Sequence, residues 1–258
     1  MTWRKPQGVL GELVGQARLA VGRRPKPSPP LPRPSTRFRT ALEQAEGFPL
    51  ICEVKRASPS AGALSLLADA PQVARTYAAA GAACVSVLTE ESRFGGRLED
   101  LSAVGRAVAV PLLRKDFIVD VQMVEEAAAA GAAAVLLIAA AVEPAALLEL
   151  AAAAEALGLD VLLELIYDRD LEVLGLRSWP LVGINARDLE TLEVDPARFE
   201  TLAPRASLPG RLLVAESALR SATDVRRVRL AGAGAGLVGE SLMRSPDPAA
   251  LIQSLRWA

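Results

Sequence analysis

From Leu50 onward the chain repeats one pattern eight times: a short apolar run, then an Ala-rich amphipathic stretch, usually with Gly or Pro between them. The runs predict strands near 50–55, 83–88, 111–115, 133–138, 160–165, 181–185, 211–216 and 235–239. The stretches between them predict helices near 70–80, 98–108, 120–130, 144–157, 168–174, 196–203, 221–231 and 247–256. Strands that alternate with helices lie parallel and are joined by crossovers. Eight such units in about 210 residues predict an α/β fold, a single closed (β/α)8 barrel, which typically needs about 250 residues. Helix signals agree: Asp120 and Ser221 are placed as N-caps, and Gly81, Gly131 and Gly158 fall at C-terminal ends.

Residues 1–24 carry a weaker helical pattern through Val9, Leu10, Leu13 and Val14. Prolines at 25, 27, 29, 30, 32 and 34 then exclude helix and inner strand and predict an extended linker. A short helix near 39–46 leads into the barrel. The expected division is therefore an N-terminal extension over 1–37 and a catalytic barrel over 38–258.

Composition removes whole classes of chemistry. The chain has no His, which excludes His-based triads and His zinc sites. Acid–base work must fall to Lys, Glu, Asp, Tyr or Cys. Two cysteines, Cys52 and Cys84, give no disulfide scaffold and fit a reducing compartment. A formal net charge of −1 gives no argument for nucleic acid. No secretory signal is visible, and the longest apolar run, Ala127 to Val142, is mostly Ala and is interrupted by Gly131. The expectation is a cytoplasmic protein, a monomer or weak homodimer, with no membrane and no nucleic-acid partner.

Barrel chemistry sits at the C-terminal ends of the strands. Five of the eight strands end in polar or charged residues. Strand 1 ends Glu53-Val54-Lys55, and alternation puts Glu53 and Lys55 on one face, Cys52 and Val54 on the other. Strand 3 ends Leu113-Arg114-Lys115, strand 5 at Glu164, strand 6 at Asn185-Ala186-Arg187, and strand 7 at Glu216-Ser217. One such residue is an ordinary strand end reaching water. Lysines and carboxylates gathered at one rim shift each other's pKa values, as acid–base sites require. After strand 8, Gly239-Glu240-Ser241 reads as a turn into a short helix, where backbone N–H groups favour a phosphate.

These segments, in order, resemble the indole-3-glycerol-phosphate synthase family. The resemblance runs from about Phe38 to Trp257. It rests on Ile51-Cys-Glu-Val-Lys-Arg-Ala-Ser-Pro-Ser60, Val85-Ser-Val-Leu-Thr-Glu90 with Phe94-Gly-Gly96, and Pro111-Leu-Leu-Arg-Lys-Asp-Phe117. Leu162-Leu-Glu164, Gly183-Ile-Asn-Ala-Arg-Asp-Leu189, Ala215-Glu-Ser217 and Val238-Gly-Glu-Ser-Leu-Met-Arg244 complete the series. The resemblance implies a lyase of tryptophan biosynthesis, without cofactor or metal. Its substrate would be 1-(2-carboxyphenylamino)-1-deoxyribulose 5-phosphate, and indole-3-glycerol phosphate, CO2 and water would be the products. It implies Lys115 as the acid for ring closure, and Glu164 and Lys55 sharing the dehydration. Glu53 and Asn185 would hold substrate hydroxyls and the lysines, with Arg187 and Glu216 in the same polar network. The phosphate would lie on Lys55, Ser217 and the backbone of Ala218, Gly239 and Glu240. The aromatic end would lie against Ser58, Pro59, Phe94, Phe117 and Leu136.

The chain departs from the family pattern at Ala218, where Gly is usual, at Ala61 in place of Lys, and at Ala186 in place of Asn. If position 218 needs φ > 0, Ala costs about 1 kcal/mol there. Other readings stay open on the sequence. One is a sugar isomerase barrel using Cys52, although parity turns Cys52 away from Glu53 and Lys55. A second is a barrel that binds a phosphorylated ligand without turning it over. A third is a partner subunit or a piece of a fused pathway enzyme, for which the Pro-rich stretch is the motive.

Overall fold

Apolar runs of four to six residues flanked by helices leave strands with no face toward water. All eight are parallel, and most of their residues are fully buried. The computed structural model describes residues 4–21, 31–58, 62–63 and 69–258. Pro25, Pro27, Pro29 and Pro30 of the expected linker, and Pro59 and Ala61 beyond strand 1, lie outside those residues.

The strands are β1 (Leu50–Val54), β2 (Cys84–Leu88), β3 (Leu112–Lys115), β4 (Ala134–Ile138), β5 (Asp160–Leu165), β6 (Leu181–Asn185), β7 (Leu212–Glu216) and β8 (Ala235–Val238). Each pairs in parallel with its sequence neighbours, and β8 closes on β1, giving the (β/α)8 barrel. A two-residue hairpin, Ala57–Ser58 with Gly62–Ala63, follows β1.

The crossover helices fall where the sequence puts them, with one difference. After β5 the chain forms a 3-10 helix, Asp168–Gly175, and not an α-helix. The Asp170 carboxylate accepts from the N–H groups of both Ile166 and Tyr167, which tightens this turn onto the end of β5. Asp120 caps its helix through Gln122 N, and Ser221 through Asp224 N. Gly131 and Gly158 follow their helices at φ +87° and +72°.

Register identifies the inner face. Glu53 pairs with Ser86, Ser86 with Leu113, Leu136 with Leu162, Glu164 with Gly183, Asn185 with Glu216, and Leu237 with Ile51. Apolar residues of this set, such as Ile51, Leu113 and Leu162, plug the lower barrel. The polar ones lie at its C-terminal end. Cys52 takes the opposite parity, as expected, and burial pushes its thiol well above the usual range.

The first helix, α1 (Gly8–Val21), lies across the mouth. At one end Val9 N donates to Glu190 O (3.2 Å) and Gln7 N to Glu190 Oε1 (3.1 Å), in the loop after β6. At the other end Gln16 bonds Ser92 and Glu12 pairs with Arg93, in the loop after β2. In a ring of eight, β2 and β6 are diametrically opposite. Among the described residues no helix is long and apolar enough to cross a membrane.

Candidate active site

The strand ends enclose a cavity of about 390 Å³, within the roughly 300–1,000 Å³ usual for small-molecule sites. Glu53, Lys55, Lys115, Asn185, Arg187, Glu216, Ser217, Ala218, Gly239 and Glu240 line it. So do Phe94, Phe117 and Leu136. The structure thus gathers from seven strand ends nearly every residue singled out in the sequence. Ser58 lies in the hairpin after β1.

Two lysine–glutamate pairs organise the floor. Lys55 Nζ lies 2.8 Å from Glu53 Oε1, with Lys55 13% and Glu53 3% exposed. Lys115 Nζ lies 3.4 Å from Glu164 Oε2 and 3.9 Å from Glu216 Oε2. Burial pulls the Lys115 pKa down, but the charges of Glu164, Glu216 and Glu53 outweigh it, so Lys115 is held above the ordinary lysine range and stays charged. Glu164 has no exposed surface and does not line the cavity, which it meets through Lys115. Burial, with the nearby charge of Glu164, raises Glu216 well above the usual carboxylate range.

Lys115 is fixed from behind by a network that sequence reasoning did not single out. Its neighbours in the chain, Arg114 and Asp116, are almost fully buried; Arg114 lies outside the cavity, and Asp116, which touches the cavity lining, pairs with it. Arg114 donates to Thr89 Oγ1 (3.1 Å), Met123 O (2.6 Å), Glu126 Oε2 (3.1 Å) and Asp116 Oδ2 (3.0 Å). Asp116 also accepts from Thr89 Oγ1 and Phe117 N. These bonds join β2, β3 and the helix Val121–Ala129 on both sides of the lysine. The signal was present in the odd–even parity of Arg114-Lys115, which places the Arg114 charge in the helix layer, where only full pairing is tolerable.

The opposite wall is shaped by backbone. Ser217 and Ala218 sit at φ +63° and +56°, so the strain expected for Ala at position 218 is real. The Ser217 hydroxyl donates to Asn185 Oδ1 (2.8 Å), which also accepts from Arg187 N (3.0 Å). The Glu240 carboxylate is engaged by Arg187 (3.5 Å) and Arg244 (3.2 Å). Arg220 and Arg244 add charge at this rim.

The remaining wall is apolar. The Phe94 and Phe117 rings lie 6.3 Å apart and tilted, and Leu136 with the additional residues Leu88, Ile138, Leu189 and Val194 also lines the cavity. Strand parity could have found Leu88, two residues beyond Ser86, and Ile138, two beyond Leu136. The cavity is therefore suited to a ligand with an aromatic end, an oxygen-bearing middle over the lysines, and an anionic end toward Ser217 and Gly239.

The sequence matches the family model described as indole-3-glycerol phosphate synthase over residues 16–255. Curated proteins carrying that name include one from Streptomyces griseus, 45% identical over 223 residues that span 86% of this chain and 82% of the relative. Another, from Rhodococcus opacus, is 47% identical over 81% of this chain and 77% of its own length. A third, from Mycobacterium avium, is 42% identical over 81% and 76%. Among solved structures, a 3-hexulose-6-phosphate synthase superposes with a TM-score of 0.61 at 20% identity, over 81% of this chain and 98% of the other, a likeness of fold alone.

Proposed function

The chain belongs to the indole-3-glycerol phosphate synthase family, and from that premise we propose how its cavity closes an indole ring. The substrate is 1-(2-carboxyphenylamino)-1-deoxyribulose 5-phosphate, and the products are indole-3-glycerol phosphate, CO2 and water. The observation that carries the reading is the pair of buried lysine–glutamate contacts, Lys55–Glu53 and Lys115–Glu164, at the floor of one half-apolar cavity.

In the first step the ring carbon bearing the carboxylate attacks the ketone carbon of the deoxyribulose. The carbonyl electrons move onto oxygen, and Lys115 donates the proton that oxygen takes. Its raised pKa supports this role, because it keeps the proton on the lysine until charge develops nearby. CO2 then leaves, its bonding electrons returning to the ring. In the last step the new hydroxyl leaves as water while the adjacent carbon loses a proton. Lys55 and Glu53, 2.8 Å apart and both facing the cavity, suit these two transfers. Glu164, sealed behind Lys115, is better placed to act through that lysine, so we assign the dehydration to Lys55 and Glu53.

The aromatic end fits against Phe94, Phe117 and Leu136, where apolar walls orient the ring for attack. Arg187 and Asn185 face the oxygen-bearing middle, with Glu216 behind. The phosphate fits the opposite rim, on Lys55, Ser217 and the backbone of Ala218, Gly239 and Glu240. The Glu240 side chain is drawn off by Arg187 and Arg244, which keeps its charge from opposing the phosphate. We further propose a cytoplasmic monomer or weak homodimer, a reading that two fully buried free thiols suit.

The test is indole fluorescence from purified protein given the carboxyphenylamino substrate. Emission that disappears with Lys115→Ala supports the reading. Tight substrate binding without emission would move it to a barrel that binds and does not turn over.

A further inference from the structure

Glu164 and Glu216 stand on β5 and β7, two strands kept apart by β6. The β6 residue level with Glu164 is Gly183. Its backbone does not require glycine, since its φ is not positive. A methyl group there would overlap Glu216 Oε1 and stand 3.0 Å from the Glu216 carboxyl carbon. The Glu216 carboxyl group thus fills the space that any side chain at 183 would take.

We propose that Gly183 is a positioning residue for the reaction: its missing side chain is the gap through which Glu164 and Glu216 meet beneath Lys115. The proposal rests on the reading of Lys115 as the acid. Among the described residues no N–H or O–H group donates to Glu164 Oε1 or to either Glu216 oxygen. Buried carboxyl oxygens are seldom left so. A single proton between the two acids satisfies both and avoids two adjacent charges. The groups facing this pair are Glu53 and Lys55 from β1, Lys115 from β3 and, beside Glu164, Asp170 from the turn after β5. The upward displacement of Glu216 agrees in direction. Gly239 makes room for Glu53 in the same way, since a methyl there would overlap Glu53 Oε1.

The experiment is a cycle of Gly183→Ala, Glu216→Ala and the double variant, followed by melting temperature, kcat, KM and the pH profile of kcat. Gly183→Ala is expected to lower kcat by tenfold or more, to change KM less, to move a limb of the pH profile, and to lower the melting temperature. In the Glu216→Ala background the space is free, so adding Gly183→Ala should cost neither stability nor residual turnover. Should Gly183→Ala fail to fold alone, a folded double variant supports the proposal and an unfolded one overturns it. An equal cost in both backgrounds, or an unmoved profile and kcat in Gly183→Ala, also overturns it. If the wild-type protein makes no indole product, the proposed function fails and the positioning role falls with it, whatever the melting cycle shows.

Discussion

Lys115 Nζ stands 3.4 Å from Glu164 Oε2, with the lysine open to the cavity and the glutamate sealed behind it. Removing the lysine should therefore abolish proton donation while leaving the cavity able to bind. Lys115→Ala is expected to lose about 10²–10⁴ in kcat and to bind a product analogue within a few-fold of wild type. Turnover like that of wild type would overturn the role given to Lys115.

The glutamate's contribution is electrostatic, and its removal has a definite sign. Glu164 raises the Lys115 pKa from 3.4 Å; in Glu164→Gln the negative charge of the pair is left on Glu216 at 3.9 Å, so its support weakens and burial pulls the lysine down. Lys115 must be protonated to act, so activity should fail earlier on the alkaline side. The expected result is an alkaline limb of kcat displaced to lower pH. A limb that stays in place would show that Glu164 does not hold the proton on Lys115.

Ala218 sits at φ +56°, where a side chain costs roughly 1 kcal/mol or more. Gly at this position relieves the strain but loosens the unfolded chain by about 0.4–1 kcal/mol. Ala218→Gly should raise the melting temperature by about 1–3 °C and tighten binding of phosphate-bearing product analogues. A fall in both would mean that the neighbouring turn tolerates Ala better than its φ implies.

Arg114 is the most consequential charge outside the cavity. Arg114→Met strands Asp116 and Glu126 without their common partner, and urea denaturation should show a loss of about 3–5 kcal/mol. A loss under about 1 kcal/mol would mean that the network is not what fixes the end of β3.

Asp170 carries a pH prediction of unusual sign. Burial, outweighing two backbone N–H donors and Arg169, lifts its pKa from 3.8 to about 6. A raised carboxyl contributes stability that is complete below the unfolded pKa and is lost as pH climbs through the folded value. Stability should therefore decline between about pH 4 and pH 6 in part through Asp170. In Asp170→Asn, whose amide oxygen can accept the same two N–H groups, that share of the decline should vanish from melting curves. An identical decline in the variant would remove Asp170 as its source.

The barrel was legible because strand and helix periods alternate cleanly from Leu50, and because parity assigns each strand residue a face. Parity puts Glu53, Lys55 and Lys115 inside and Cys52 outside. It does not reveal depth: Glu164 has the inward parity of Leu162, yet nothing local in the sequence says it ends below the floor. The network of Arg114 and Asp116 is not legible locally because Thr89 and Glu126 come from other units. The pattern over 168–174 predicts an α-helix where the chain forms a 3-10 turn, because the stabilising contact reaches back to the end of β5.

The helix over the mouth ties the loops after β2 and β6 to one rigid rod across the diameter of the ring. Two rims that would otherwise fluctuate separately are mechanically joined. A change in either loop is therefore carried to the other through a single helix.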